Sequence, residues 1–203
     1  MKEAIHALKY DRLHPAARGL GRMLAEAISQ LAGEAPGEML VVPVPLHRSK
    51  YAQRGFNQAR SLAAHALRFL RKSHPEWRPT LASSTLMRLR PTESQAGLTF
   101  RQRRLNVRGA FTVSDAAAVM GKHILVIDDI FTTGATARAA AQALVRAGAA
   151  SVWVATLARA RHTNQFRPES FVIDAEDEDV SGEQPEAMTA RSSFHSSQDQ
   201  PSF

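Results

Sequence analysis

The chain has 203 residues and no cysteine, which excludes disulfides and cysteine-ligated metals and makes the cytoplasm the expected location. No apolar run approaches the roughly 18–20 residues needed to span a bilayer, and the start, Met1-Lys2-Glu3-Ala4-Ile5-His6, lacks the hydrophobic block of a signal peptide. The formal net charge of +7 is unevenly spread, with 25 Lys and Arg against 11 Asp and Glu in residues 1–173, and one Arg against eight acids in residues 174–203. A body this basic expects polyanionic company, phosphorylated small molecules or nucleic acid, and composition does not separate the two.

Residues 2–9 have the spacing of a short helix. From Ala16 the recurrence of Leu20, Met23, Leu24, Ala27, Ile28 and Leu31 predicts an amphipathic helix that Gly33 and Pro36-Gly37 end. Met39-Leu40-Val41-Val42 predicts a buried strand, and Pro43-Val44-Pro45 predicts that the chain leaves the sheet there. The segment Leu46 to Gln58 follows, rich in hydrogen-bond donors and free of acids. We read it as a loop, followed by a second helix with Phe56, Ala59, Leu62, Ala63, Ala66, Leu67 and Leu70 on one face and Asn57 placed to cap it. Leu81 to Leu89 reads as a strand. The basic stretch Arg88 to Arg108 reads, at least in its first half, as a loop that moves. Ser151 to Leu157 and Phe171-Val172-Ile173 read as further strands. Strands alternating with helices predict an α/β domain over residues 1–173 with a mostly parallel sheet flanked by helices. Ligands on such sheets sit at the carboxyl ends of the strands. Residues 174–203 read as a disordered acidic tail rich in Ser and Gln.

The most informative stretch is His123 to Thr136. Ile124 to Ile127 run into adjacent carboxylates, Asp128 and Asp129, and then into the turn Thr132-Thr133-Gly134-Ala135-Thr136 and an alanine-rich helical segment. A strand, a turn of Thr and Gly and a helix start make an anion site, where backbone N–H groups and the positive end of the helix dipole converge. Gly134 is expected to let the backbone come close, and the threonine hydroxyls add donors. The Walker pattern is absent. Carboxylates beside a phosphate cradle suit hydroxyls or a metal carried by the ligand, and hence a sugar phosphate.

The run Val126 to Thr136 resembles the phosphoribosyl diphosphate (PRPP) motif of type I phosphoribosyltransferases. With Val42-Pro43-Val44-Pro45-Leu46-His47, Arg54-Gly55-Phe56-Asn57-Gln58-Ala59, Gln95-Ala96-Gly97-Leu98, Arg103-Arg104-Leu105-Asn106-Val107 and Gly109-Ala110-Phe111, the chain resembles the ComF-type (competence protein F) branch. The resemblance implies a type I phosphoribosyltransferase-like fold with a small hood. It places Asp128 and Asp129 at the ribose as the catalytic acidic pair, and Thr132, Thr133, Gly134, Ala135 and Thr136 around the 5′-phosphate. The loop after Pro45 would meet pyrophosphate. Arg48, Lys50 and Arg54 are our choices for that charge, with Arg54 first because Gly55 beside it would permit close backbone approach. Thr92, Gln95, Arg101, Arg103 and Arg104 fall where the family keeps a hood over the site, or where nucleic acid would lie.

The implied cofactor is Mg²⁺ brought by PRPP, with no metal ligand supplied directly by side chains. Two departures stand out. Threonine at position 132 replaces the aspartate of the 6-oxopurine branch, and no residues read as a base pocket. Many relatives also carry an N-terminal four-cysteine zinc module, and this chain starts where that module would end, so it is either a module-free relative or a truncated start. The resemblance implies PRPP as ligand and a process of DNA uptake and transformation. It leaves open an enzyme with an unspecified acceptor, a non-catalytic single-stranded-DNA-binding competence protein working with transformation proteins, a PRPP-sensing regulator, and a homo-oligomer.

Overall fold

The computed structural model describes residues 14–31, 34–92, 98–159 and 169–173. The expected short helix over residues 2–9, Gln95 and the acidic tail lie outside the described residues. Helix α1 spans His14–Ser29 and is followed by strand β1, Leu40–Pro43. Helices α2, Arg48–Arg54, and α3, Gln58–Ser73, lead to strands β2, Thr80–Leu81, and β3, Leu86–Arg88. Helix α4, Phe100–Val107, and strand β4, Phe111–Val113, precede β5, His123–Phe131. Helix α5, Ala135–Arg146, then connects to β6, Ser151–Arg159, and β7, Glu169–Ile173.

Five strands form one sheet in the order β2-β1-β5-β6-β7. The pairings of β1 with β2, β1 with β5 and β5 with β6 are parallel, and β7 joins β6 antiparallel at the edge. The mostly parallel α/β sheet expected from the alternation of strands and helices is therefore the architecture. Parallel neighbours need crossovers, and α5 is the crossover between β5 and β6. Residues Ile124 to Ile127 are all fully buried because helices cover both faces.

The two faces differ in chemistry. On one side α1 and α3 pack Leu24, Ile28, Leu62 and Leu70 against Leu125, Ile127 and Leu157 of the sheet. On the other, α5 lays Ala137, Ala140 and Ala141 close onto Ile124, Val126 and Val154. The roots of a small outlying sheet, Leu86 and Phe111, join this second layer. That sheet consists of β3 and β4 alone, paired antiparallel with Arg88 opposite Phe111.

Several local expectations change. The predicted single strand Leu81 to Leu89 is two strands in two different sheets, divided by a turn at Ser83-Ser84. Small hydroxyl residues at that turn let the chain cross from the main sheet to the outlying one. The chain also leaves β1 later than the proline pair suggests, since Pro43 ends the strand and Val44 N–H still donates to the Ile127 carbonyl at 2.9 Å. A proline at a strand's last residue leaves room for such a bond from its successor. The supposed loop after Pro45 is mostly helix α2, which buries none of its residues and therefore shows no apolar period. The second half of the basic stretch is α4, started by a capping box in which Thr99 accepts from Gln102 N–H at 3.3 Å and Thr99 N–H donates to Gln102 Oε1 at 2.8 Å.

Candidate functional site

The main sheet delivers Asp128 and Asp129 at the carboxyl end of β5, directly before the turn into α5. Both are half-buried, unlike the four fully buried residues before them. Strict alternation ends here, because Ile127 and Ile130 pack into the same layer. Asp128 Oδ1 accepts from Asp129 N–H at 2.9 Å, which fixes one oxygen of the pair.

The turn is shaped from beneath by Phe131. Gly134 is the N-cap of α5 at φ 73°, ψ 2°. A Cβ there would lie 2.5 Å from the Phe131 ring, so glycine is required by both backbone conformation and packing. That is a different reason from the close approach of a ligand expected above. A glycine N-cap has no side chain of its own to accept from the first-turn N–H groups. Thr133 Oγ1 accepts from Ala135 N–H at 3.3 Å, whereas Thr132 is exposed. A shallow, open concavity lies at this turn, with Asp128, Ile130, Phe131, Thr132, Gly134, Ala135, Thr136 and Ala137 as its lining. Asp129 and Thr133 are not part of that lining.

The α2 cations separate by geometry. Lys50 and Arg54, four residues apart on a helix, share a face and are half-buried, while Arg48 is exposed on another. Gly55 at φ 77° is the left-handed C-cap of α2, its N–H donating to the Tyr51 carbonyl at 2.7 Å. A Cβ on Gly55 would meet nothing of the protein within 4 Å, and its positive φ suits the left-handed cap. His47 caps the other end: Nδ1 accepts from Ser49 N–H at 3.3 Å. Asn57 caps α3 as expected, its Oδ1 accepting from Arg60 N–H at 3.2 Å, and its Nδ2 ties the helix start to the Val44 carbonyl at 3.0 Å.

Thr92 joins the two basic groups. Its side chain is buried, Lys50 Nζ donates to its carbonyl at 3.2 Å, and Arg88 Nη2 donates to its hydroxyl. Arg101 and Arg104 are exposed on α4, and Arg103 is turned back so that Nε donates to the Leu98 carbonyl at 2.9 Å.

Arg88 is the residue that the sequence reading left out of the site. Burial lowers the pKa of its guanidinium from the ordinary arginine value; the charge of Asp128 works against that shift, and Arg90 adds to it. Arg88 therefore lies within electrostatic reach of Asp128. Its guanidinium also stands 5.3 Å from the centre of the Phe111 ring. Only its alternation with exposed Met87 and Leu89 could have marked it as inward-facing.

The donor chemistry fits a phosphorylated sugar with its magnesium ion. Adjacent carboxylates offer hard oxygen donors, and the helix start offers N–H groups to a phosphate. Among the described residues no group of three or more His, Asp and Glu side chains could hold a metal by itself. Also among them, no helix is long and apolar enough to cross a membrane.

The phosphoribosyl transferase domain family matches residues 59–188. The DNA utilization protein YhgH of Escherichia coli is 36% identical over 158 residues, which cover 76% of this chain and 65% of the relative, so the match spans less than two thirds of that protein. Competence protein F of Haemophilus influenzae is 31% identical over 121 residues, covering 59% of this chain and 50% of the relative. The solved glutamine phosphoribosylpyrophosphate amidotransferase of Bacillus subtilis aligns at 23% identity and a TM-score of 0.41, over 71% of this chain and 26% of that one. The chain belongs to the phosphoribosyltransferase family, in its ComF-type branch.

Proposed function

We propose that the chain binds PRPP with Mg²⁺ at the β5–α5 turn and transfers the ribose 5-phosphate group to an acceptor, acting in the cytoplasm in the service of DNA uptake. The observation that carries this reading is the carboxylate pair at the end of β5, set immediately before a glycine-capped helix start. Thr132, Thr133, Gly134, Ala135 and Thr136 take the 5′-phosphate, and Asp128 and Asp129 take the ribose hydroxyls. Lys50 and Arg54 face the pyrophosphate, with Arg48 on the outer side of the same helix.

In the transfer, the C1–O bond to pyrophosphate breaks and pyrophosphate departs with the electron pair, while a lone pair on the acceptor forms the new bond at C1. Bound Mg²⁺ supplies neutralisation of the pyrophosphate charge. The protein's own part is positioning and charge stabilisation of a developing sugar cation, with the hood excluding water. The names of the relatives, DNA utilization protein and Competence protein F, support the process.

The test is titration of PRPP with and without Mg²⁺ into the wild type and into Asp128→Ala/Asp129→Ala. Loss of charge-assisted hydrogen bonds worth about 1.5–3 kcal/mol each predicts weakening of about 100-fold or more in the double variant. Equal affinity in the two proteins would remove the site assignment. A second reading, binding of single-stranded DNA, is favoured by the exposed Arg101 and Arg104 on the acid-free helix α4. A second arm of the same experiment therefore titrates an oligonucleotide over a range of salt, where Arg101→Ala/Arg103→Ala/Arg104→Ala is expected to lower both affinity and salt slope.

A further inference from the structure

Helix α3 carries a charge pattern that the candidate site does not use. Its exposed cations are Arg60, Arg68, Arg71 and Lys72, and it contains no acid. At about 100° per residue the four fall within an arc of roughly 120° along about 18 Å of helix, opposite the face that buries Leu62, Ala66 and Leu70. Helix stability does not account for the set. Arg71 and Lys72 suit the negative end of the helix dipole, but Arg60 stands in the first turn, at the positive end. Among the described residues none of the four makes an ion pair. Glu26, on the neighbouring helix α1, is held by Arg22 at 3.2 Å, and Glu76 lies beyond the end of α3. Cations spread over that length suit an extended polyanion, not a single phosphate.

The chain itself contains such a polyanion. Residues 174–186 hold seven Asp and Glu and no Lys or Arg. This segment lies outside the described residues, and β7 fixes where it starts. That strand runs antiparallel to β6 and ends with Ile173 opposite Val152, at the amino end of the parallel strands. Helix α3 finishes at the same end. It starts beside the Val44 carbonyl, at the carboxyl end of β1, and its exit leads to Thr80, which pairs with Leu40 at the other end of β1. Arg68, Arg71 and Lys72 therefore lie toward the end of the sheet where the acidic segment begins. They also lie on the same side, since α1 contacts β7 and packs against α3, whereas α4 packs against α5, which covers the other face. The separation is two to three strand spacings and one helix diameter, roughly 20–25 Å. The acidic segment is long enough, reaching up to about 45 Å.

We propose that the acidic segment 174–186 docks along the exposed face of α3, with its carboxylates on Arg60, Arg68, Arg71 and Lys72. Tethering gives the segment a high effective concentration, so individually weak exposed pairs suffice. Once docked, it competes with any other polyanion for that face. It acts as a built-in competitor that keeps nucleic acid off α3. The inference is independent of the ligand site at the β5–α5 turn.

The chain has no cysteine, so Ser181→Cys gives a single attachment point for a nitroxide in the full-length protein. At about 0.1 M salt the label is expected to broaden the amide signals of residues 60–72. More than half of that broadening is expected to disappear at about 1 M salt, where the Debye length falls to about 3 Å. Arg60→Gln/Arg68→Gln/Arg71→Gln/Lys72→Gln is expected to lose the broadening at low salt while melting as the wild type does, since all four side chains are exposed. In the wild type, a zero-length carbodiimide cross-link is expected to join Lys72 to a carboxylate of residues 174–186. Competition supplies the functional readout, with oligothymidylate as the polyanion probe. In Asp174→Asn/Glu176→Gln/Asp177→Asn/Glu178→Gln/Asp179→Asn, a face covered about two-thirds of the time becomes free, and the probe is expected to bind about threefold more tightly. That gain is expected to vanish when the α3 substitutions are added. Broadening that is absent, indifferent to salt, or confined to residues 100–107 of α4 would overturn the docking. So would a gain in probe affinity that survives the α3 substitutions, because the segment would then cover another surface. If neutralising the segment gives no gain while the α3 substitutions alone weaken the probe, the face belongs to nucleic acid and the proposal falls.

Discussion

Two strand pairs bring residues to the candidate site, and they are built in opposite ways. In β1 and β5 the run Val41-Val42 and Ile124 to Ile127 is buried on both faces, under Leu and Ile side chains on one side and close-packed alanines on the other. In β3 and β4 each strand has three residues, Met87 and the neighbouring Leu89 are 44% and 61% exposed, and the adjoining helix α4 exposes Leu105 at 56%. The first pair presents backbone donors and carboxylates from a fixed frame. The second presents arginines from a unit with little apolar area to hold it. Local stability follows buried contacts, so the small β3–β4 sheet and α4, the expected hood region, are the part expected to have the lower local stability.

Mutations sharpen this contrast, and the largest effect belongs to the frame. Leu24→Ala empties a fully buried position between α1 and α3 and is expected to cost about 2–5 kcal/mol in global unfolding by denaturant, with PRPP binding retained in the folded fraction. Next comes the joint between frame and ligand. Gly134→Ala forces a left-handed alanine against the Phe131 ring and is expected to cost roughly 1–3 kcal/mol, with a parallel loss of PRPP affinity. The smallest belongs to the hood. Thr99→Ala removes the α4 capping box, worth about 1 kcal/mol. That loss is expected to appear as faster amide exchange in residues 100–107 while the global unfolding midpoint holds. A midpoint shift as large as that of Leu24→Ala would mean that hood and frame unfold as one unit, and the contrast drawn here would fail.

The same contrast governs what could be read from the chain. Ile124 to Ile127 followed by Asp128-Asp129 and a Thr/Gly turn is legible because burial, turn chemistry and helix start coincide there. The α1 and α3 helices are legible from the apolar period that their buried faces require. Helix α2 is not, because it buries nothing; its signals are the ends, His47 and Gly55. Helix α4 carried a readable signal in the capping-box spacing of Thr99 and Gln102, but its arginine-rich surface pointed to loop. Arg88 was hidden by the strand Leu81 to Leu89, which is read as continuous although Ser83-Ser84 turns it from one sheet into another. Burial of a charge against a residue 40 positions away (Asp128) is a tertiary fact with no local pattern.

Thr92 carries a consequence of a different kind. Lys50 is bound to its carbonyl and Arg88 to its hydroxyl, so the position of the hood and the disposition of two cations are set by one residue. If a ligand draws on either cation, it competes with that cation's bond to Thr92, and linkage would make the Thr92 contact and ligand affinity alter one another by the same factor. Thr92→Gly, which removes the hydroxyl bound by Arg88 and keeps the carbonyl bound by Lys50, is the substitution that would cut one of the two ties without substituting either cation.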